Sequence, residues 1–129
     1  MRALEPLRGL RVVADPAALD AARWHGDDVI VLRFAPDDAF AFGPIRVEID
    51  DADAIVESEV GFAGAWLPVN EVMPHLEWEL PLPAERPTLA QGSIAGVPAK
   101  LWLAGAGDVL LLTSAAFAHE LAGRLGWLP

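Results

Sequence analysis

Val97-Pro98-Ala99-Lys100-Leu101-Trp102-Leu103, then Gly105-Ala106-Gly107, then Val109-Leu110-Leu111-Leu112 is the stretch whose reading decides the fold. Val97, Ala99, Leu101 and Leu103 alternate with Pro98, Lys100 and Trp102, the period of a strand with one buried face. Gly105 and Gly107 supply a turn, and the unbroken apolar run that follows suits a strand covered on both faces. At Ser114 the period changes. Phe117, Leu121 and Leu125 fall on one helical face at i, i+4 and i+8, with His119, Glu120 and Arg124 on the other. Ser114 is the expected N-cap and Gly126 the stop signal. Residues 89–127 therefore read as a strand-strand-helix unit, with Val109–Leu112 an interior strand and Ala115–Leu125 a helix laid over it.

Working outward, residues 1–9 read as an N-terminal arm, and Asp15 and Pro16 mark the N-cap and first position of a helix running toward Trp24. Gly26-Asp27-Asp28 turns the chain into the strand Val29–Phe34, Pro36-Asp37-Asp38 ends it, and Ala39–Phe42 extends a hairpin partner. Ile45, Val47 and Ile49 alternate with Arg46, Glu48 and Asp50 as a one-sided strand. The next strand is longer: Val56, Ser58, Val60 and Phe62 share one face, Glu57 and Glu59 the other, with a bend at Gly61 or Gly64 before Trp66. A short helical turn is expected around Asn70–Leu76, limited by Pro74. Pro81, Pro83 and Pro87 make residues 81–88 a stiff connection. Strands outnumber helices and most connections are too short for a crossover. The prediction is an α+β domain, residues 1–129, with a mainly antiparallel sheet and helices packed on one face.

Composition narrows function. The chain has 129 residues, 53% of them hydrophobic, enough for one domain with a real core, and no apolar run long enough to cross a bilayer. The N-terminus lacks a signal-peptide pattern, so a cytoplasmic protein with no membrane partner is expected. Without cysteine there is no disulfide, thiolate nucleophile or cysteine metal site. A net charge of −10, with Lys100 the single lysine, argues against a nucleic-acid partner, because like charge repels the phosphate backbone.

The order of the pieces resembles a family. Arg33-Phe34-Ala35-Pro36-Asp37-Asp38-Ala39-Phe40 is similar to the x-G-P-D-E-W strand turn of sarcosine oxidase gamma subunits, with alanine where that glycine is usual. These subunits belong to the aminomethyltransferase-like folate-binding superfamily. The long strand Ala54–Trp66 falls where the family has its own. Leu76-Glu77-Trp78-Glu79-Leu80-Pro81 resembles its C-P-L-D-L segment without the cysteine. Leu89-Ala90-Gln91-Gly92 looks like the A-Q-T strand start, and Ser114-Ala115-Ala116-Phe117-Ala118 like the R-S-F-A helix entry without the arginine. The likeness runs through residues 29–127, and its weight lies in the order of the motifs. It implies a remote, shortened relative with the same α+β fold, acting as a non-catalytic accessory or binding protein through association with an oxidoreductase or with itself. No cofactor is expected, since in that family flavin, dinucleotide and folate sites lie in other subunits. The alternative is a free-standing small-molecule, folate-like binding protein or C1-transfer enzyme.

Read from the residues themselves, catalysis finds no foothold. Ser58, Ser93 and Ser114 lack a nucleophile-elbow context, and His25, His75 and His119 are not spaced as a metal motif. Gly105-Ala106-Gly107 precedes a strand rather than a helix, so it is a hairpin turn and not a phosphate loop. Within the acidic stretch Glu48 to Glu59, Glu57 and Glu59 lie on one strand side, near enough to share a hard cation or split their protonation; a solvated face that discourages edge pairing is the plainer reading. Together with Trp66 they are the candidate ligand-binding residues. Lys100, Trp102 and Trp78 are the candidate interface. Strand periodicity sends Lys100 and Trp102 away from the Val97, Ala99, Leu101, Leu103 face, and Trp78 stands between Glu77 and Glu79.

Overall fold

The computed structural model describes residues 2–43, 46–78, 81–105 and 107–128. In chain order the elements are β1 (Glu5–Val13), α1 (Pro16–Asp20), β2 (Arg23–His25), β3 (Ile30–Ala35), β4 (Asp38–Phe42), β5 (Arg46–Glu48), β6 (Ile55–Leu67), α2 (Val69–Val72), β7 (Thr88–Ile94), β8 (Val97–Leu103), β9 (Val109–Ser114) and α3 (Ala118–Arg124). Single 3₁₀ turns occupy Met73–His75 and Ala115–Phe117. This is an α+β fold of mainly antiparallel sheet with a few short helices. The chain divides into two compact units, Leu7–Val60 and Met1–Pro6 with Gly61–Pro129.

In the Leu7–Val60 unit the strand order is β3-β4-β1-β6, and β2 with β5 forms a separate ribbon. The β3-β4 hairpin turns at Pro36-Asp37, as its sequence implies, and carries a bulge between Arg33 and Ala35. Arg33 holds that turn by donating from Nη2 to the Pro36 carbonyl at 2.7 Å and pairs with Asp20 at 2.7 Å. Phe34, Phe40 and Phe42 follow one another along the hairpin, with centroid separations of 6.1 and 5.7 Å. The core gathers Val12, Ala14, Leu19 and Ala39, with Trp24, Val31 and Val47 packed against it.

Two expectations change here. The arm proposed for residues 1–9 is largely strand: β1 begins at Glu5 and pairs antiparallel with β4 from Gly9↔Phe42 to Val13↔Asp38. Gly9 is required, because a Cβ there would collide with the Ala41 carbonyl. The first helix stops at Asp20 instead of reaching Trp24, and Asp15 makes no side-chain cap bond. Good helix formers at Ala21 and Ala22 lose to tertiary pairing: Arg23–His25 pair with Arg46–Glu48, which brings Trp24 into the core. Ile45 of that strand pattern lies outside the described residues.

In the other unit the order is β6-β9-β8-β7, antiparallel throughout. β9 is interior as its apolar run requires, with Val109 to Thr113 all buried. One sheet face carries Leu67, Ala90, Ile94, Val97, Ala99, Leu101, Leu103, Val109 and Leu111; Val72 of α2 and Leu121 of α3 close over it. Burying one such leucine contributes about 1.5–3 kcal/mol.

The stretch 89–127, which its sequence divides into two strands and a helix, holds three strands, β7, β8 and β9, before α3. β7 and β8 are joined by Ala95 and Gly96, with φ of 50° and 79°, the tight turn that matches strand twist. Ser114 makes no side-chain cap bond, and the chain takes a 3₁₀ turn before α3 starts at Ala118. Leu121 is accordingly buried and Leu125 packs on the core, while Phe117 stays 39% exposed. Gly126, at φ 78°, ends the helix. Between Gly105 and Gly107, Ala106 lies outside the described residues, as do Glu79 and Leu80 of the segment after Leu76.

Candidate functional site

Strand register sorts the predicted residues onto faces. In the Gly61–Pro129 unit, Trp66 pairs with Leu110 and Leu110 with Trp102, one row across β6, β9 and β8 on the face opposite Leu101 and Leu111. Leu110 is fully buried, with Trp66 42% exposed on one side and Trp102 half-buried on the other. Two tryptophans assigned by sequence to different sites thus share one surface, two strand spacings or about 10 Å apart. The Trp66 carbonyl accepts from Arg2 at 3.2 Å, and Arg2 also pairs with Glu71 at 2.6 Å.

The next row on this face is Gly64, Leu112, Lys100 and Gln91. Lys100 Nζ donates to Gln91 Oε1 at 2.7 Å. A cleft of ≈ 330 Å³ opens where β9 ends, lined by Phe62, Gln91, Ser93, Lys100, Ser114 and Phe117 among others. Its described lining offers the Lys100 ammonium, the Gln91 amide, three hydroxyls from Ser93, Thr113 and Ser114, and apolar walls. Sequence reading found Lys100 here but not the rest, because they come from four separate segments that only the sheet register unites.

Trp78 has a different place. It packs against the buried core of its own unit, lying over Gly92 so closely that a Cβ there would strike the indole. Its Nε1 is buried without a hydrogen-bond partner among the described residues.

Glu57 and Glu59 stand in the other unit. Glu57 is exposed, whereas Glu59 accepts from Arg11 Nη1 at 3.1 Å. Arg11 also grips Asp38 bidentately, at 2.6 Å from Nε and 2.7 Å from Nη2, and sits 4.9 Å from the centroid of Phe34. The Asp38 bonds hold the guanidinium above its ordinary pKa, with burial opposing and Glu59 adding. Arg11, missed by the sequence reading because its strand was missed, thus ties Glu59 into an ion network. Asp51 has a similar structural role: its carboxylate accepts from the backbone N–H of Asp15 and of Asp53, both at 2.9 Å, which lowers its pKa.

His25 Nε2 lies 3.3 Å from Glu48, His75 is in the 3₁₀ turn after α2, and His119 is exposed on α3. No group of three metal-binding side chains forms among the described residues. No described helix is long and apolar enough to cross a membrane.

Against solved structures, the chain is similar to a chain of the heterotetrameric sarcosine oxidase from Corynebacterium sp. U-96, solved in complex with pyrrole 2-carboxylate, with a TM-score of 0.64 over 95% of this chain and 79% of that one. The two share a fold. Sequence identity is 15%, so the likeness is remote and speaks for architecture. No protein-family model matches the sequence, and no curated protein matches it significantly. The family resemblance read from the order of short motifs and the sarcosine oxidase architecture found in three dimensions agree.

Proposed function

We propose that this protein is a non-catalytic accessory or binding protein that works by association, with subunits of an oxidoreductase or with a second copy of itself. The observation that carries the reading is the fold likeness to a chain of a multi-subunit oxidase along 95% of the sequence. Large apolar side chains left exposed, Val60 at 62% and Trp66 at 42% among them, add to it, since such groups suit contact surfaces. The test is to purify the tagged protein from its native host and assay the co-eluting material for flavin absorbance and mass. Stoichiometric flavoprotein subunits, or a concentration-dependent dimer in sedimentation, are expected. A monomer that brings no oxidoreductase with it would overturn the proposal.

The cleft beside Lys100 favours a second reading, a small-molecule binder of the folate-like kind or a C1-transfer enzyme. Isothermal titration with folic acid separates the two: saturable binding weakened by Lys100→Met supports the second, and none removes it.

A further inference from the structure

We propose that the first half of β6, Ile55–Val60, is a docking edge that accepts an extended partner segment as an added strand, one that alternates apolar and basic side chains. The proposal rests on the association reading above and names the surface and the partner chemistry.

In the strand order β6 lies between β1 and β9, and Ile55–Val60 is the part of it that comes last in the Leu7–Val60 unit, after β3, β4 and β1. Among the described residues β9 pairs with β6 from Phe62 to Leu67. An outer strand offers main-chain donors and acceptors at strand spacing, the template that strand addition uses. Protein edges are usually kept short, charged on both sides or covered, yet here Ile55, Val56 and Val60 are 55%, 42% and 62% exposed. Val56 and Val60 share one face of that edge and call for an apolar cover, while Ile55 lies on the face of Glu57.

The side-chain pattern specifies that cover. Val56, Ser58 and Val60 point to one face and Glu57 and Glu59 to the other. Residues directly opposite in an antiparallel pair share a face, so the added strand needs apolar groups against Val56 and Val60 and a cation against Glu57. A second copy of the chain fits badly: a two-fold axis through Ser58 would match Val56 with Val60 but set Glu57 against Glu59, and like charges in that position repel. A net charge of −10 strengthens the preference for a basic partner.

The test uses the full chain and three synthetic peptides, KVKVKVK, its block scramble KKKKVVV and EVEVEVE, by fluorescence anisotropy at 150 mM salt. Backbone contact is read by hydrogen exchange. KVKVKVK is expected to bind saturably and slow exchange in Ile55–Val60, with the scramble about fivefold weaker or worse. Val60→Lys and Glu57→Lys, both at exposed positions, are each expected to weaken it about tenfold with circular dichroism unchanged. Equal binding of the scramble, unprotected Ile55–Val60 amides, or a dimer that Val60→Lys dissolves would overturn the proposal. Peptide binding as expected in a protein that stays monomeric and brings down no oxidoreductase supports the edge and defeats the association reading. Co-purification undiminished by Val60→Lys keeps that reading and overturns the edge.

Discussion

Replacing Arg11 with methionine tests how the Leu7–Val60 unit is held. The guanidinium makes two short bonds to Asp38, at 2.6 and 2.7 Å, and one longer bond to Glu59 at 3.1 Å. Side-chain exposures of 31% for Arg11, 23% for Asp38 and 25% for Glu59 place the network between two regimes. Exposed pairs contribute about 0.2–1 kcal/mol, while removing one member of a buried pair costs about 3–5 kcal/mol. That Arg11 is held above its ordinary pKa, chiefly by Asp38 and against burial, says the ionised network is favourable where it stands. Arg11→Met should therefore lose about 2 kcal/mol in urea unfolding at neutral pH followed by circular dichroism. Arg11→Lys, which keeps charge but not the bidentate grip, should lose about 1 kcal/mol. Double-mutant cycles with Asp38→Asn and Glu59→Gln apportion the loss, and the Asp38 coupling should exceed the Glu59 coupling by about twofold. A loss under about 0.5 kcal/mol, or a larger Glu59 coupling, refutes the reasoning.

Gly92→Ala should push the Trp78 ring off its seat, costing about 1–3 kcal/mol and shifting tryptophan emission; an unchanged spectrum and midpoint would show that the contact is slack. Asp51, held ionised first by the Asp15 N–H and then by that of Asp53, should titrate below the ordinary aspartate value in carbon-detected NMR. A lowered folded-state pKa means its contribution to stability is present above the unfolded pKa and fades as pH falls through the folded one, so Asp51→Asn should matter at neutral pH and cease to matter in strong acid. Trp102→Ala should weaken association by about 2 kcal/mol or more while unfolding stays cooperative; unchanged association, or simple unfolding, would make Trp102 rim or core.

What was legible in the fold was whatever local periodicity controls. β8 and β9 announce themselves through alternation and an unbroken apolar run, and α3 through its i, i+4 leucines, because burial on one face selects those patterns directly. β1 was invisible for the opposite reason. Its partner β4 lies about thirty residues away, Arg8 and Arg11 interrupt its apolar residues, and Gly9, which looks like a turn signal, is there to let the Ala41 backbone approach. The overlong first helix failed similarly: Ala21 and Ala22 carry high local propensity, but pairing of Arg23–His25 with Arg46–Glu48 is worth more than two further helical residues.

The site residues divide along the same line. Parity along one strand sent Lys100 and Trp102 to one face correctly, since period two is local. It could not place Trp66 beside them, because that depends on β6 and β8 flanking β9 in matching register. Nor could it reveal that Glu59, half of a candidate ligand pair with Glu57, is occupied by an arginine from a strand the sequence hid. Once Arg11 neutralises Glu59, the two carboxylates cease to be equivalent: one belongs to the unit's internal ion network, and the other, Glu57, is left facing outward on an edge that also exposes Ile55, Val56, Ser58 and Val60. On the proposed docking edge, the acidic row is the charge pattern that a partner strand would match.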